Sequence, residues 1–231
     1  MSKLIFQGKT KDVYTTDDSK VVRLQFKDDL IGKDGKFEPG GDQVALTMDG
    51  IGALNCQVSQ KFFKLLTQQG VPNHYISAEN DSMLVKRVQQ FGYGLEVIVR
   101  YKAVGSFYRR YARYIEEGED LSGVVEFALK DNERGDPFAN FDTLAELGLL
   151  IDWQCTKIME LANKVGRIIK SFLAEGGLDV YDMKLEFGIV DGAILLADEI
   201  SATSMRVYQN GIWMDDPVEL SKRMLAIKSD E

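Results

Sequence analysis

The chain opens as a series of short segments in which apolar and polar residues alternate. "KDVYTT", "VVRLQF" and "SMLVKRVQ" are rich in β-branched and aromatic residues, and Asp17-Asp18-Ser19 and Asp34-Gly35 supply turn chemistry among the early pieces. The first ninety residues are therefore predicted to be β-rich. One stretch departs from that period: between Asn55 and Gln69, Val58, Phe62, Leu65 and Leu66 recur at helical spacing, and Gly70 and Pro72 stop them.

Beyond residue 93 the pattern lengthens. "GLEVIVRY" (Gly94 to Tyr101) reads as a buried strand, and a helix is predicted from Gly105-Ser106 through Ile115, ending at Gly118. Asp152 is placed to cap a long helix whose stripe is Ile158, Ala162, Val165, Ile169 and Phe172, before Gly176-Gly177. Asp216-Pro217 opens a final surface helix in "DPVELSKRMLAIKSDE". The sequence shows neither repeats nor a low-complexity linker. A lobe boundary is expected as a hinge near Gln90 to Gly94, dividing residues 1–92 from 93–231.

The segment "LDVYDMKLEFGIVDGAILLADEIS" carries the densest chemistry. Side chains alternate along a strand, so Asp182, Lys184 and Glu186 share one face while Met183, Leu185 and Phe187 pack inward on the other. Three ionisable groups in a row must meet water, partner charges or a ligand. Asp191-Gly192 marks a hairpin turn. A two-residue turn would set Glu186 beside Ala197 and send Asp198 to the opposite face. A three-residue loop or a bulge would set Glu186 opposite Asp198, where two carboxylates gather around a cation. The second register is the expected one.

Composition narrows the class without naming a reaction. The 231 residues carry a net charge of −8, with basic residues scattered apart from clusters such as Tyr108-Arg109-Arg110 with Arg113, so no nucleic-acid footprint is evident. There is no membrane-length apolar run, and the N-terminal stretch turns polar too early for a signal-peptide core, so the chain reads as cytoplasmic. Cys56 and Cys155 lack metal-ligand spacing and read as reduced helix residues, and the lone histidine, His74, makes a Ser-His-Asp triad a poor fit.

Three other segments suit phosphates. In "FQGKTKDVY", Gly8 allows close backbone approach while Lys9 and Lys11 supply positive charge. In "EVIVRYKAVGSFYRR", Arg100 leaves a buried strand just before a helix start at Gly105-Ser106, a combination that suits a phosphate monoester. "LKDNERGDP" holds Lys130, Asp131 and Asp136 in a polar loop. Each also has a plain structural reading: a solvated hairpin, a capped helix and an ordinary turn.

In order and spacing, "GKTKDVY", "EVIVRYKAVGS", "KDNERGDP", "YDMKLEFG" and "LADEIS...R" resemble the phosphoribosylaminoimidazole-succinocarboxamide synthase (SAICAR synthetase) family, from about Phe6 to the C-terminal helix. The most specific part is D-x-K-[apolar]-E-[FI]-G, met by Asp182, Lys184, Glu186, Phe187 and Gly188. The resemblance implies an α/β (α+β), two-lobed fold, with a β-rich ATP-binding lobe, a larger α/β lobe and ATP in the cleft between them. It implies an ATP-dependent ligase that joins a carboxylated aminoimidazole ribonucleotide to L-aspartate through an acyl phosphate, releasing ADP and phosphate, with Mg²⁺ as cofactor. A homodimer is the favoured assembly, with neither nucleic acid nor membrane as a partner.

By position, the resemblance implies that Lys9 and Lys11 contact ATP phosphates and that Lys86 lies near the adenine connection. Lys130 and Asp136 match the polar loop beside the phosphates, and Glu186 and Asp198 match the Mg²⁺ carboxylates. Lys184 matches a residue that neutralises charge on the transferred phosphoryl group, and Asp182 one that orients Lys184 or the incoming amine. Arg100, Ser106 and Arg206 match substrate-binding positions, assigned to the ribonucleotide phosphate. The chain departs from the family at Ile51 and Cys56, at Gly94 in place of proline, at Gly135 in place of histidine, and at Ala202-Thr203 in place of Pro-Asp. These departures keep open a relative using another amine or carboxylate and a non-catalytic ATP-binding protein; the kinase-like lobe arrangement that the resemblance implies suggests a phosphotransferase ending at a phosphorylated product, against which stands the absence of kinase-type HRD and DFG sequences.

Overall fold

The structure is a computed structural model that describes residues 2–41 and 43–228. Its first part runs β1 (Leu4–Gln7), β2 (Lys11–Thr15), β3 (Val21–Phe26), β4 (Asp29–Lys33), β5 (Lys36–Phe37), β6 (Gln43–Thr47), α1 (Ile51–Gln68), β7 (Tyr75–Glu79), β8 (Ser82–Lys86) and β9 (Gln89–Gln90). The second runs β10 (Leu95–Lys102), α2 (Gly105–Tyr111), β11 (Asp120–Leu129), β12 (Phe138–Ala139), α3 (Phe141–Glu146), α4 (Asp152–Glu175), β13 (Asp179–Val190), β14 (Ala193–Ala197), β15 (Met205–Gln209), β16 (Ile212–Trp213) and α5 (Pro217–Ala226).

Three antiparallel sheets result. One has the order β1-β2-β3-β8-β7, a small one β5-β4-β6, and the largest β12-β11-β10-β13-β15-β16, with β14 and β9 also pairing with β13. The apolar rows of the strands and the stripes of α1 and α4 merge into one core, in which Phe62, Phe63, Val99, Met183, Leu185 and Ile158 are nearly inaccessible. Gly166 lets α4 lie against the large sheet: a Cβ there would stand 2.5 Å from the Tyr101 hydroxyl. The mixed α+β class follows from that packing of helices on antiparallel sheets.

Several local expectations are corrected. Helix α1 starts at Ile51, four residues before the apolar spacing indicates, because the Asp28 carboxylate accepts the backbone N–H groups of Gly50 (3.1 Å) and Gly52 (2.9 Å). That cap comes from a distant part of the chain, out of reach of local pattern. Helix α2 ends at Tyr111, short of Ile115, and presents no buried face to prolong it. Asp152 is the first residue of α4, not its cap: Ile151 is the cap residue, and its N–H donates to Gln154 Oε1 at 3.0 Å. The α5 expectation holds, with Asp216 Oδ1 accepting from the Val218 and Glu219 N–H groups; the final Ser229-Asp230-Glu231 lie outside the described residues.

The hairpin register differs from the expected one. Asp191 (φ 49) and Gly192 (φ 81) both take left-handed conformations, forming a two-residue turn that pairs Val190 with Ala193 and Glu186 with Ala197. Two-residue turns of this hand match the right-handed twist of the flanking strands, and Asp-Gly is a favoured dipeptide for them. Glu186 and Asp198 are thus not cross-strand neighbours.

Candidate active site

One half of the site is a row of residues across three strands. Arg100 on β10 is paired in register with Asp182 on β13, and Asp182 with Arg206 on β15. Asp182 Oδ2 accepts from Arg100 Nη1 at 3.0 Å and from Arg206 Nη1 at 2.8 Å. Arg100 is 1 % exposed, so its charge would cost several kcal/mol without partners. It also donates from Nε to Glu126 Oε2 (2.6 Å) and from Nη2 to Ser106 Oγ (2.9 Å). Gly105, with φ 55, lies beside Arg206, whose Cζ would be 2.7 Å from a Cβ at that position. Glu38 stands at the rim within 3.4 Å of both Arg109 and Arg206.

The other half is built from lysines and carboxylates drawn from separate elements. Lys11, at the start of β2, donates to Glu199 Oε1 at 2.5 Å and lies 3.4 Å from Asp198. Burial acts to lower its pKa, but the charges of Asp198 and Glu199 prevail and hold the ammonium above the ordinary lysine range. Lys130 is ion-paired with Glu186, and Lys184 with Glu96 at 2.7 Å. Glu96 and Glu186 face one another across β10 and β13, each carrying its own lysine.

Asp198 joins this cluster by a route that strand alternation does not contain. Strand β14 ends at Ala197, and Asp198 takes φ 58, so the face-switching rule no longer governs it. His74 secures the bend, donating from Nε2 of its neutral ring to the Asp198 carbonyl at 2.9 Å. Burial drives the His74 pKa down to about 4. Burial and the negative charge of Asp198 raise Glu186 to about 7 against the pull of Lys130. Desolvation acts to raise Asp198, but the positive charges of Lys11 and Lys130 prevail and hold it below the ordinary carboxylate range.

A cavity of about 170 Å³ lies over the first half and extends to the edge of the second. Arg100, Ser106, Asp136, Asp182, Lys184 and Arg206 line it, so six of the residues singled out in the sequence converge there. Lys11, Lys130, Glu186 and Asp198 form the adjoining lysine–carboxylate cluster, joined to the cavity wall through Glu96 and Lys184. Lys9 is at the periphery, donating to Asn132 Oδ1 at 3.0 Å. The Lys86 side chain is exposed, while its N–H donates to the His74 carbonyl.

Of the departures from the family pattern, Ile51, Cys56, Ala202 and Thr203 are buried, and Gly135 lines the cavity. Gly94 has φ 126, which proline cannot adopt, and its bare Cα lets the Lys130 stem pass: a Cβ there would be 2.6 Å from Lys130 Cδ. Sequence reasoning missed Glu96, Glu126, Glu199 and Glu38. The first three carried a usable signal, since each is a carboxylate inside an otherwise apolar strand or beside one. Glu38 carried none.

A mixed α+β protein with arginine forks at one end of its site and a lysine–carboxylate cluster at the other is equipped for ligands bearing several negative charges. The chain belongs to the SAICAR synthetase family, whose sequence pattern matches residues 4–224. A phosphoribosylaminoimidazole-succinocarboxamide synthase of Clostridium tetani is 42% identical over 226 residues, covering 96% of this chain and 99% of that protein. One of Methanocaldococcus jannaschii is 38% identical over 207 residues, covering 88% and 81%. Among solved structures, a SAICAR synthetase in complex with ADP superposes with a TM-score of 0.84 at 32% identity, covering 98% of this chain and 99% of the other. That of Pyrococcus horikoshii gives 0.78 at 31% identity, covering both chains in full.

Proposed function

We propose that this protein is an ATP-dependent carbon–nitrogen ligase of purine biosynthesis, which joins 5-amino-1-(5-phosphoribosyl)imidazole-4-carboxylate to L-aspartate and releases ADP and phosphate. The observation that carries this reading is the adjacency of the two halves of the site in a chain that the family pattern covers nearly from end to end. A carboxylate oxygen of the ribonucleotide attacks the γ-phosphorus, ADP leaves, and the amine then displaces phosphate from the acyl carbon to give an amide. Positioning and charge neutralisation are what the protein contributes to such a sequence.

In this reading Arg100, Ser106 and Arg206 hold the ribonucleotide phosphate, with Asp182 Oδ2 bridging one terminal nitrogen of each guanidinium. Lys184, oriented by Glu96, neutralises charge growing on the transferred phosphoryl group. Lys11 and Lys130 contact the ATP phosphates once these displace their carboxylate partners, Lys9 and Asp136 flank them from the two loops, and Lys86 borders the adenine end. Glu186 and Asp198 suit a divalent cation: desolvation and the charge of Asp198 raise the Glu186 pKa, and a bound cation would offset that repulsion. Glu186 and Asp198 are the residues that would hold Mg²⁺, whose positive charge would offset the negative charge of the nucleotide phosphates.

The same proposal divides the chain into an ATP lobe, residues 1–92, and a metal and substrate lobe, residues 93–231. It places the protein in the cytoplasm; no helix among the described residues is long and apolar enough to cross a membrane. A two-copy assembly belongs to it as well, supported by edge strand β1, where Ile5 and Phe6 stand exposed. The test is ADP formation from Mg²⁺-ATP and the carboxylated ribonucleotide with and without L-aspartate, with product mass followed in parallel. Aspartate-dependent ADP and a succinocarboxamide mass are expected. ADP formation indifferent to any amine points instead to a phosphotransferase and overturns the reading.

A further inference from the structure

Glu126 has no place in the roles above, yet it makes one of the shortest contacts to them. It sits on β11, outside the cavity lining, and is the neighbour of Ile98 across the β10–β11 ladder. One of its oxygens, Oε2, takes the Nε–H of Arg100 at 2.6 Å; the other, Oε1, takes Arg110 Nη2 at 2.5 Å. Its side chain is 14 % exposed, and the contact to the buried Arg100 is shielded from solvent, whereas the one to Arg110 lies at the exposed surface. Arg110 in turn lies over the Phe138 ring, 3.6 Å from its centroid, and Phe138 is part of the cavity wall.

A guanidinium has five N–H donors in a rigid fork, and the edge bearing Nε is the one that a side-on carboxylate grips. With Nε engaged by Glu126, the Nη1 and Nη2 ends are left directed at Asp182 and Ser106, both of which line the cavity. Without that grip the hydrogen bonds that orient the Arg100 plane come only from its far end, with the Phe107 ring centroid 5.7 Å from Cζ as a further neighbour. We infer that Glu126 is a positioning residue for the phosphate end of the site: it fixes the plane of Arg100, so that the guanidinium presents its terminal nitrogens to the substrate anion. This inference rests on the reading of Arg100 as a ribonucleotide phosphate ligand.

The test is steady-state kinetics of Glu126→Gln, which keeps shape and one acceptor oxygen but loses the charge. The KM for the carboxylated ribonucleotide is expected to rise about tenfold, the difference between a charged and a neutral acceptor. The kcat and the KM for Mg²⁺-ATP stay within twofold, and competitive inhibition by ribose 5-phosphate weakens in parallel with the ribonucleotide KM. A general structural role would move the two KM values together. Arg110→Gln, which removes only the outer partner, is expected to change the ribonucleotide KM less than twofold; an equal effect would make Glu126 an anchor for α2 and overturn the inference. Arg100→Lys separates the two layers. If it leaves the ribonucleotide KM unchanged, the underlying reading fails. If it raises that KM while Glu126→Gln does not, only the positioning role is refuted.

Discussion

The two halves of the site are built on opposite plans. The arginine half is a straight cross-strand row, Arg100, Asp182 and Arg206, set by the register of three neighbouring strands in one sheet. The lysine half gathers Lys11 from β2, Lys130 from just past β11, Glu186 from β13 and Asp198 from a left-handed residue after β14. Guanidiniums keep their charge in any protein setting, and their planar forks need aligned partners, which a sheet provides. Lysines and carboxylates gathered from loops and strand ends are set by tertiary packing, and their ionisation depends on one another, as Glu186 and Asp198 show by shifting in opposite directions. Strand β13 thus carries a member of each arrangement, Asp182 in the register-set arginine row and Glu186 in the packing-set lysine cluster.

The largest effect expected from breaking this arrangement is on the lysine half. Glu186→Gln removes one of the two carboxylates while preserving size, and kcat with Mg²⁺-ATP should fall about a hundredfold with thermal midpoint nearly unchanged. Near-normal specific activity in a destabilised protein would mean that the carboxylate serves folding alone.

Acid should expose the bend that brings Asp198 in. His74 is neutral in the fold and titrates at about 4, while in the unfolded chain it takes a proton near 6.5. Because the folded pKa is depressed, the unfolded state binds the proton first. Stability is intact above pH 6.5, erodes as pH falls below it, and by pH 4 has lost about 3 kcal/mol from this group. Urea unfolding at pH 7 and pH 4 should show that loss in the wild type beyond whatever His74→Gln shows; equal losses in both proteins would remove His74 from the account.

A smaller effect is expected at Gly94, where Ala would have to adopt φ 126 and its Cβ would collide with the Lys130 stem. Strain of this kind costs about 1–3 kcal/mol, and displacement of Lys130 should raise the KM for Mg²⁺-ATP severalfold while sparing the ribonucleotide KM. The smallest expected change is at Glu38, which holds Arg109 and Arg206 only at 3.4 Å and from a rim position. A contact of that sort contributes under about 1 kcal/mol, and Glu38→Gln should lower the ribonucleotide KM about twofold by removing a competing anion.

The contrast between the halves also explains what the sequence made legible. The row Asp182, Lys184, Glu186 could be read from two-residue periodicity alone, and the inward row Met183, Leu185, Phe187 is buried as expected. Strand composition located β2, β3, β8 and β10, and the turn at Asp191-Gly192 was visible as a dipeptide. The approach of Asp198 to Glu186 was anticipated, but through the wrong register. Periodicity carries no information about a residue that leaves the strand with positive φ, and the His74 contact that holds it there is 124 positions away in sequence. The same limit hid the Asp28 cap of α1 and the pairing of Glu126 with Arg100, both settled by tertiary neighbours. Glu96, Glu126 and Glu199 could each have been flagged as residues, though not with their partners, since a carboxylate among or beside apolar strand residues demands one.

The most direct test of the division into two halves is calorimetric titration of Mg²⁺-ADP into the wild type, Lys11→Met and Arg100→Lys. The account predicts that Lys11→Met weakens binding more than tenfold and that Arg100→Lys leaves it within twofold, because only the lysine half meets the nucleotide phosphates. Equal weakening by both substitutions, or the reverse order, would contradict the division.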